Sequence, residues 1–273
     1  MTVETEIFGI LNLTPDSFSD GGNISSPQLA LDNVATMFEQ GASYIDVGAE
    51  STRPNATPIS DDEEWRRLEP VLPILLELYP GKISVDSYHP NTFRRIFDIG
   101  KVIINDVTAF HNPEMIEIAA DNNAQCIISH IPKYFGVNIQ EAHQSRGKLS
   151  ITPAQVREEL LSKVSELANA SVDKRGIILD PGIGFGKSLK IYRDLLGIAK
   201  LLPERNVMIG YSKKKFIGED SNKPGPNLVL GAIAIDAGTR YLRLHQDLIP
   251  SHKRLIELSA KTWRFLSPFS SVN

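Results

Sequence analysis

The chain has 273 residues, 41% of them apolar and 23% charged, which is ample material for one large core and excludes a disordered protein. Its formal charge of −4, from 29 basic and 33 acidic residues spread along the chain, lacks the basic surplus that a phosphate backbone would demand, so no nucleic acid partner is expected. The acidic start Met1–Glu6 is unlike a secretory signal, no apolar run reaches the ~18 residues of a membrane span, and the lone Cys126 lies in an apolar run, so a soluble, cytoplasmic protein without a membrane partner is expected.

In chain order, short runs rich in Ile and Val alternate with longer stretches of helical periodicity. Strands are predicted at Glu6–Asn12, Tyr44–Val47, Lys82–Val85, Val102–Asp106, Gln125–His130, Gly176–Asp180, Asn206–Gly210 and Tyr241–Leu244. Helices are predicted at Pro27–Gln40, Asp61–Tyr79, Pro90–Ile99, Glu114–Asn122, Pro153–Ala170, Ser188–Leu201, Asn227–Ala237 and His252–Leu266. Ser26-Pro27 and Thr152-Pro153 place a capping hydroxyl before proline at a first helical position. Lys133–Ser150 has no clear period and reads as a long loop that has room for a short helix. Eight βα units in succession select a closed (β/α)8 TIM barrel of the α/β class, a fold that runs ~250 residues as one unit. A single barrel domain over residues 1–273 is the expectation.

In such a barrel the chemistry sits at the C-terminal strand ends. Here those ends read Asn12, Asp46, Asp86, Asn105-Asp106, His130, Asp180, Ser212-Lys213-Lys214 and Arg243 with His245. Asp180-Pro181-Gly182-Ile183-Gly184-Phe185-Gly186-Lys187 ends a strand with a carboxylate and opens a glycine-rich turn. Such a carboxylate accepts two parallel hydrogen bonds from an amino-pyrimidine edge, as in a pterin or guanine; a glycine turn that binds phosphate through its amides is an equal reading. Asn105 either pairs with the same heterocycle or satisfies a loop backbone. Arg243 and His245, alternate residues on one strand face, join Lys187 and Lys214 as candidates to hold an anionic leaving group; Arg243 paired with a barrel carboxylate is the alternative. His130 fits a hydrogen-bonded core position as well as a ligand-binding one.

No cluster of His, Cys and Asp has the spacing of a zinc site. A hard cation, Mg2+, bridging the Asn12 amide oxygen and substrate phosphates is the favoured metal use. The loop Thr14–Gly22 that follows Asn12 reads equally as a lid with no metal role.

The segments Gly9–Gly22 (GILNLTPDSFSDGG), Asp46–Pro54 (DVGAESTRP), Ile83–Ser87 (ISVDS), Ile104–Val107 (INDV), Ile177–Lys187 (ILDPGIGFGK), Gly210–Gly218 (GYSKKKFIG) and Arg243–His245 (RLH) resemble dihydropteroate synthase, in order and from end to end. The resemblance implies a barrel transferase of folate biosynthesis that joins 6-hydroxymethyl-7,8-dihydropterin pyrophosphate to 4-aminobenzoate and releases pyrophosphate. Carried over by position, Asp86, Asn105, Asp180 and Lys214 hold the pterin and Phe185 lines its pocket. Asn12, Arg243 and His245 hold the pyrophosphate, Asn12 through Mg2+, with Asp86, Lys214 and Arg243 as the catalytic set. Ser51, Thr52, Arg53 and Pro54 form a loop that closes over aminobenzoate, and a homodimer through outer helices is implied. The chain departs from the family at Lys215, where Ser is usual, at Ser129, where Met is usual, and at Lys190-Ile191-Tyr192, where Glu-His-Asn is usual.

Two other readings remain. A corrinoid-type pterin methyltransferase shares the barrel, but a methyl donor has no pyrophosphate for Lys214, Arg243 and His245 to hold. A non-catalytic or altered-substrate pterin-binding paralogue would treat Lys215 as a mark of lost aminobenzoate binding. Because sulfonamides mimic aminobenzoate, Lys215 also bears on sulfonamide sensitivity.

Overall fold

The structure is a computed structural model that describes residues 4–14, 27–51, 56–136, 138, 141–142, 145 and 150–266. Eight parallel strands close into a barrel in sequence order: β1 (Glu6–Asn12), β2 (Tyr44–Gly48), β3 (Ile83–Asp86), β4 (Ile103–Asp106), β5 (Cys126–Ser129), β6 (Ile177–Asp180), β7 (Asn206–Ile209) and β8 (Tyr241–His245). Each pairs with its neighbours, and β8 returns to β1 with Glu6 opposite Tyr241. Every strand lies within about two residues of its expected place. Short runs rich in Ile and Val marked them, and closure leaves no edge exposed.

Alternation also sorts the side chains into two populations. On the lumen side, Phe8, Ile103, Ile127, Ile178, Met208 and Tyr241 fill the barrel floor, with Tyr44 against them. Phe8 stacks on Tyr44 at 4.5 Å and meets Tyr241 edge-on at 5.3 Å. Residues of opposite parity, such as Ile45, Val85, Ile104, Cys126, Ile128, Leu179 and Leu244, face the helices in the larger outer core. Burial pushes the Cys126 thiol above its ordinary pKa, consistent with an inert core residue.

The outer helices are α1 (Pro27–Glu39), α2 (Asp61–Leu68), α3 (Leu72–Leu78), α4 (Pro90–Ile99), α5 (Pro113–Asp121), α6 (Pro153–Asn169), α7 (Tyr192–Leu196), α8 (Pro224–Asp236) and α9 (Ile249–Leu266). Two expected helices are broken. Asp61–Tyr79 divides into α2 and α3 because Pro70 offers no amide proton and Pro73 restarts a helix at its first turn. The stretch 188–201 is the short α7 between 3-10 turns, with Gly197 at its end. Thr152 caps α6 as foreseen: its hydroxyl accepts from Gln155 N at 3.2 Å, and Gln155 reaches back to Thr152 N at 2.8 Å. Ser26, the other foreseen cap, lies outside the described residues, as does much of the loop after β5. That loop opens with a 3-10 turn at Lys133–Phe135. Among the described residues no helix is long and apolar enough to cross a membrane.

Phe8 is fully buried at the centre of the floor, and its removal would leave a cavity that the closed barrel cannot collapse around. Phe8→Ala is expected to cost about 3–5 kcal/mol of unfolding free energy in urea denaturation.

Candidate active site

The alternation that fills the floor places polar groups above it. Two residues beyond each floor side chain, on the same face, stand Asp46 after Tyr44, Asn105 after Ile103, Ser129 after Ile127, Asp180 after Ile178, Gly210 after Met208 and Arg243 after Tyr241. Strand register then aligns the upper rim, where Asn12 lies opposite Gly48, Gly48 opposite Asp86, and Asp86 opposite Asn105. A Cβ on Gly48 would sit 3.9 Å from Asn12 Oδ1 and 3.9 Å from Asp86 Oδ2. Asn12 and Asp86 thus flank Gly48 on either side of β2. On the far side, Ser129 pairs in register with Asp180.

Arg243 lies at the centre of the lumen. Its Nε donates to Asp46 Oδ2 at 2.5 Å and its Nη2 to Asp86 Oδ2 at 2.7 Å. Burial works against its charge, but the two carboxylates outweigh that and hold its pKa above the ordinary value. Asp46 is fully buried and also accepts from Ser84 Oγ at 2.5 Å and Asn105 Nδ2 at 3.0 Å. Asp86 is pushed up to about 7, because burial and the nearby Asp46 act against the pull of Arg243. The pairing of Arg243 with barrel carboxylates, open at the sequence level, is thus what the structure holds. The pairing uses two of the five guanidinium N–H donors.

Asp180 closes the other side of the lumen. A Cβ on Gly210 would lie 3.6 Å from Asp180 Oδ2 and 3.7 Å from Arg243 Cβ, so these two side chains flank Gly210 on either side. Burial raises the Asp180 pKa against the opposing pull of Lys214 and Arg243. Its Oδ1 accepts from Gly182 N at 2.7 Å, which bends the glycine turn back over the strand end. Gly182 has φ +63, and a Cβ there would fall 2.0 Å from His130 O, so no other residue fits without moving the turn. Lys214 Nζ donates to Ile183 O in that turn and lies 5.6 Å from the Phe185 ring centre. Phe185 packs with Val107 and Tyr88 across the mouth. His245 Nδ1 lies 2.6 Å from Ser212 Oγ, at the mouth of the same lumen.

One expectation is corrected. Lys187 does not reach an anion: it is fully buried and donates to the carbonyls of His130 at 2.9 Å, Gly182 at 2.9 Å and Phe185 at 3.3 Å, with burial lowering its pKa to about 7. His130 takes the hydrogen-bonded core position that the sequence favoured, not the mouth. It has opposite parity to Ser129 and points outward, where its Nε2 lies 3.1 Å from Glu159 Oε2 on α6, and burial, helped by Lys187, lowers its pKa to about 4. Asp106 likewise faces away from the lumen and shapes its own loop, accepting from Thr108 N at 2.7 Å and Phe110 N at 3.1 Å. Asn12, Asp86, Asn105, Asp180, Phe185, Lys214, Arg243 and His245 do converge on one lumen mouth. Ser51 follows Glu50 at the end of β2, whereas Thr52, Arg53 and Pro54 lie outside the described residues. Lys215 is exposed at the rim and begins a 3-10 turn.

The lumen contains two buried acceptors with no partner among the described residues, Asp86 Oδ1 and Asn105 Oδ1. Buried oxygens in a native protein are normally satisfied, so this pair marks where donors of a ligand belong. Together with the Asp180 carboxylate and the aromatic wall of Phe185, they describe a slot for a flat, donor-rich heterocycle. A barrel with such a slot at its C-terminal mouth is a pterin-binding enzyme, and the chain belongs to that family: the family's sequence pattern, described as "Pterin binding enzyme", matches residues 8–245.

Within the family the chain is similar to the dihydropteroate synthase of Bacillus subtilis, with 34% identity over 253 residues, 89% of this chain and 84% of that protein. Its fold is similar to the Yersinia pestis dihydropteroate synthase solved with a sulfonamide drug, at a TM-score of 0.82, 28% identity, and coverage of 94% and 95% of the two chains. The Xanthomonas albilineans enzyme solved with 4-aminobenzoic acid matches at a TM-score of 0.80 and 30% identity, covering 94% of this chain and 93% of that one.

Asp46 had been only one strand end among several, yet it is the shared acceptor for Ser84, Asn105 and Arg243. Asp46→Ala would leave the Arg243 charge short of a partner in a buried site, a loss of about 3–5 kcal/mol by denaturant unfolding. Ser84→Ala, which removes one donor and no charge, should cost about 1 kcal/mol.

Proposed function

We propose that this chain is a dihydropteroate synthase, a transferase that condenses 6-hydroxymethyl-7,8-dihydropterin pyrophosphate with 4-aminobenzoate to form 7,8-dihydropteroate and pyrophosphate. The observation that carries the reading is the pair of orphaned acceptors, Asp86 Oδ1 and Asn105 Oδ1, facing the same lumen as the Asp180 carboxylate. A pterin offers ring N–H and amino donors along one edge, which complement these oxygens. Asp86, Asn105 and Asp180 bind that edge, Phe185 lines the ring's pocket, and Lys214 sits over the turn that shapes the wall.

Breaking the bond to pyrophosphate moves positive charge towards the pterin methylene and negative charge onto the phosphates. Asp86 and Asp180 stabilise the first, and Arg243 with His245 the second, because preorganised charge in a half-dry site costs no reorganisation. Asp46 holds Arg243 in place for that role. Ser51, with Thr52 and Arg53, belongs to the aminobenzoate side of the reading, where the amine attacks the methylene carbon. Sequence similarity to a protein solved with 4-aminobenzoic acid supports that second substrate.

Mg2+ is part of the proposal. The Asn12 amide oxygen stands across bare Gly48 from Asp86, a hard-oxygen setting that suits an ion with few protein ligands and several phosphate or water oxygens. Asn12 would hold it, and the bound ion would supply positive charge to the pyrophosphate. A homodimer is also proposed: α8 is apolar on its outer as well as its inner side, with Val229 61% exposed and Leu258 of the adjoining α9 45% exposed. The cytoplasm is the proposed location, in keeping with one buried, unpaired thiol.

Purified protein given the pterin pyrophosphate, aminobenzoate and Mg2+ should release pyrophosphate and form dihydropteroate. The same protein with Asp180→Ala should lose pterin binding by calorimetry. Pterin binding without product would instead favour the non-catalytic paralogue, and titration with aminobenzoate in the presence of pyrophosphate separates the two. Val229→Asp should shift the mass seen by light scattering from dimer to monomer; an unchanged mass removes α8 from the interface.

A further inference from the structure

The sequence contains no zinc-like spacing, but folding gathers one candidate set from three separate segments. Glu50 follows β2, Glu64 lies in α2 and His89 immediately precedes α4, and one ligand atom from each lies within 4.8 Å of the others. His89 Nε2 and Glu50 Oε2 are 2.9 Å apart, within hydrogen-bond distance, so the imidazole already faces the carboxylate. The carboxylates are held from outside: Tyr88 OH donates to Glu50 Oε1 at 2.8 Å and Ser87 Oγ to Glu64 Oε2 at 2.8 Å. Such supporting bonds orient ligands in metal sites.

A further observation points to an occupant. Glu64 is fully buried and its Oε1 has no partner of hydrogen-bond geometry among the described residues, with the Thr92 hydroxyl on α4 as its neighbour. A buried carboxylate oxygen left short of donors calls for a partner. Among the described residues Glu64 forms no ion pair with any Lys or Arg, and Glu50 pairs with His89. A donor set of two carboxylate oxygens and one imidazole nitrogen suits Zn2+ better than Mg2+.

We propose that Glu50, Glu64 and His89 bind a transition-metal dication of the Zn2+ class, at a site distinct from Asn12, which pins the end of β2 to α2 and to the start of α4. The site does not depend on the catalytic reading. Its competitor is a metal-free arrangement in which His89 carries a proton for Glu50 and Glu64 is itself protonated. Calorimetric titration of the full chain with ZnCl2, in excess MgCl2 to fill hard-oxygen sites, should give one Zn2+ per chain. Glu64→Gln and His89→Phe should each weaken that binding by about tenfold or more, whereas Asn12→Ala should leave it unchanged. Zn2+ should also raise the melting temperature of the wild type and not that of His89→Phe. His89 is partly exposed, and Phe keeps its stacking on Tyr88, so this variant preserves the test if Glu64→Gln fails to fold. No Zn2+ bound above the Mg2+ background, or binding retained in His89→Phe, would overturn the site.

Discussion

The ion cluster of Asp46, Arg243 and Asp86 is the constraint on which the lumen depends. A closed barrel of this size fills its own interior, and charges placed there lose their hydration unless they find one another. Arg243 answers two carboxylates at once, and Asp46 spends its remaining capacity on Ser84 and Asn105. Four strands are thereby tied together above the apolar floor. Because Asp46 and Arg243 engage Asp86 Oδ2 and the Asn105 amide nitrogen, the oxygens left over, Asp86 Oδ1 and Asn105 Oδ1, are the ones available to a ligand. The stabilising network and the binding slot share the same residues.

The opposite wall is built differently. Asp180, Gly182, Lys187 and the carbonyl of His130 form a tight backbone knot in which an ammonium replaces the usual run of amide donors. Lys187 neutralises three carbonyl dipoles, and the low pKa that burial imposes on it is opposed by Asp180. A lysine in a glycine-rich turn invites a phosphate-binding interpretation, and here it is wrong, because its side chain is spent inside the turn. The positive charge inside the lumen belongs instead to Arg243, paired with Asp46 and Asp86, while Lys214 bonds to the Ile183 carbonyl.

The same distinction runs through the rim. Ser129 and His130 are adjacent, but one faces the lumen and the other a helix, as alternation along a strand requires. Asp106 and Asn105 divide in the same way. Parity counted from the floor residues would have separated them from sequence alone: Asn105 and Ser129 each lie two positions beyond an apolar floor residue, whereas Asp106 and His130 lie three beyond it. Asp46 was legible by that rule and was missed because its partner, Arg243, lies nearly two hundred residues away in the chain.

The amino-acid sequence by itself determined the eight strands, their order and the closed barrel, since short Ile/Val-rich runs, helical periodicity and capping signals are local. It also carried the family, through DPGIGFGK and GILNLTPDSFSDGG. Breaks in the helices at Pro70 and Gly197 were present in the residues but were outweighed by apolar periodicity. Only the tertiary structure decided which charges pair. Ion pairs such as Asp46 with Arg243, and the gathering of Glu50, Glu64 and His89, join segments far apart in sequence, and their partners are set by barrel register and burial rather than by any local pattern.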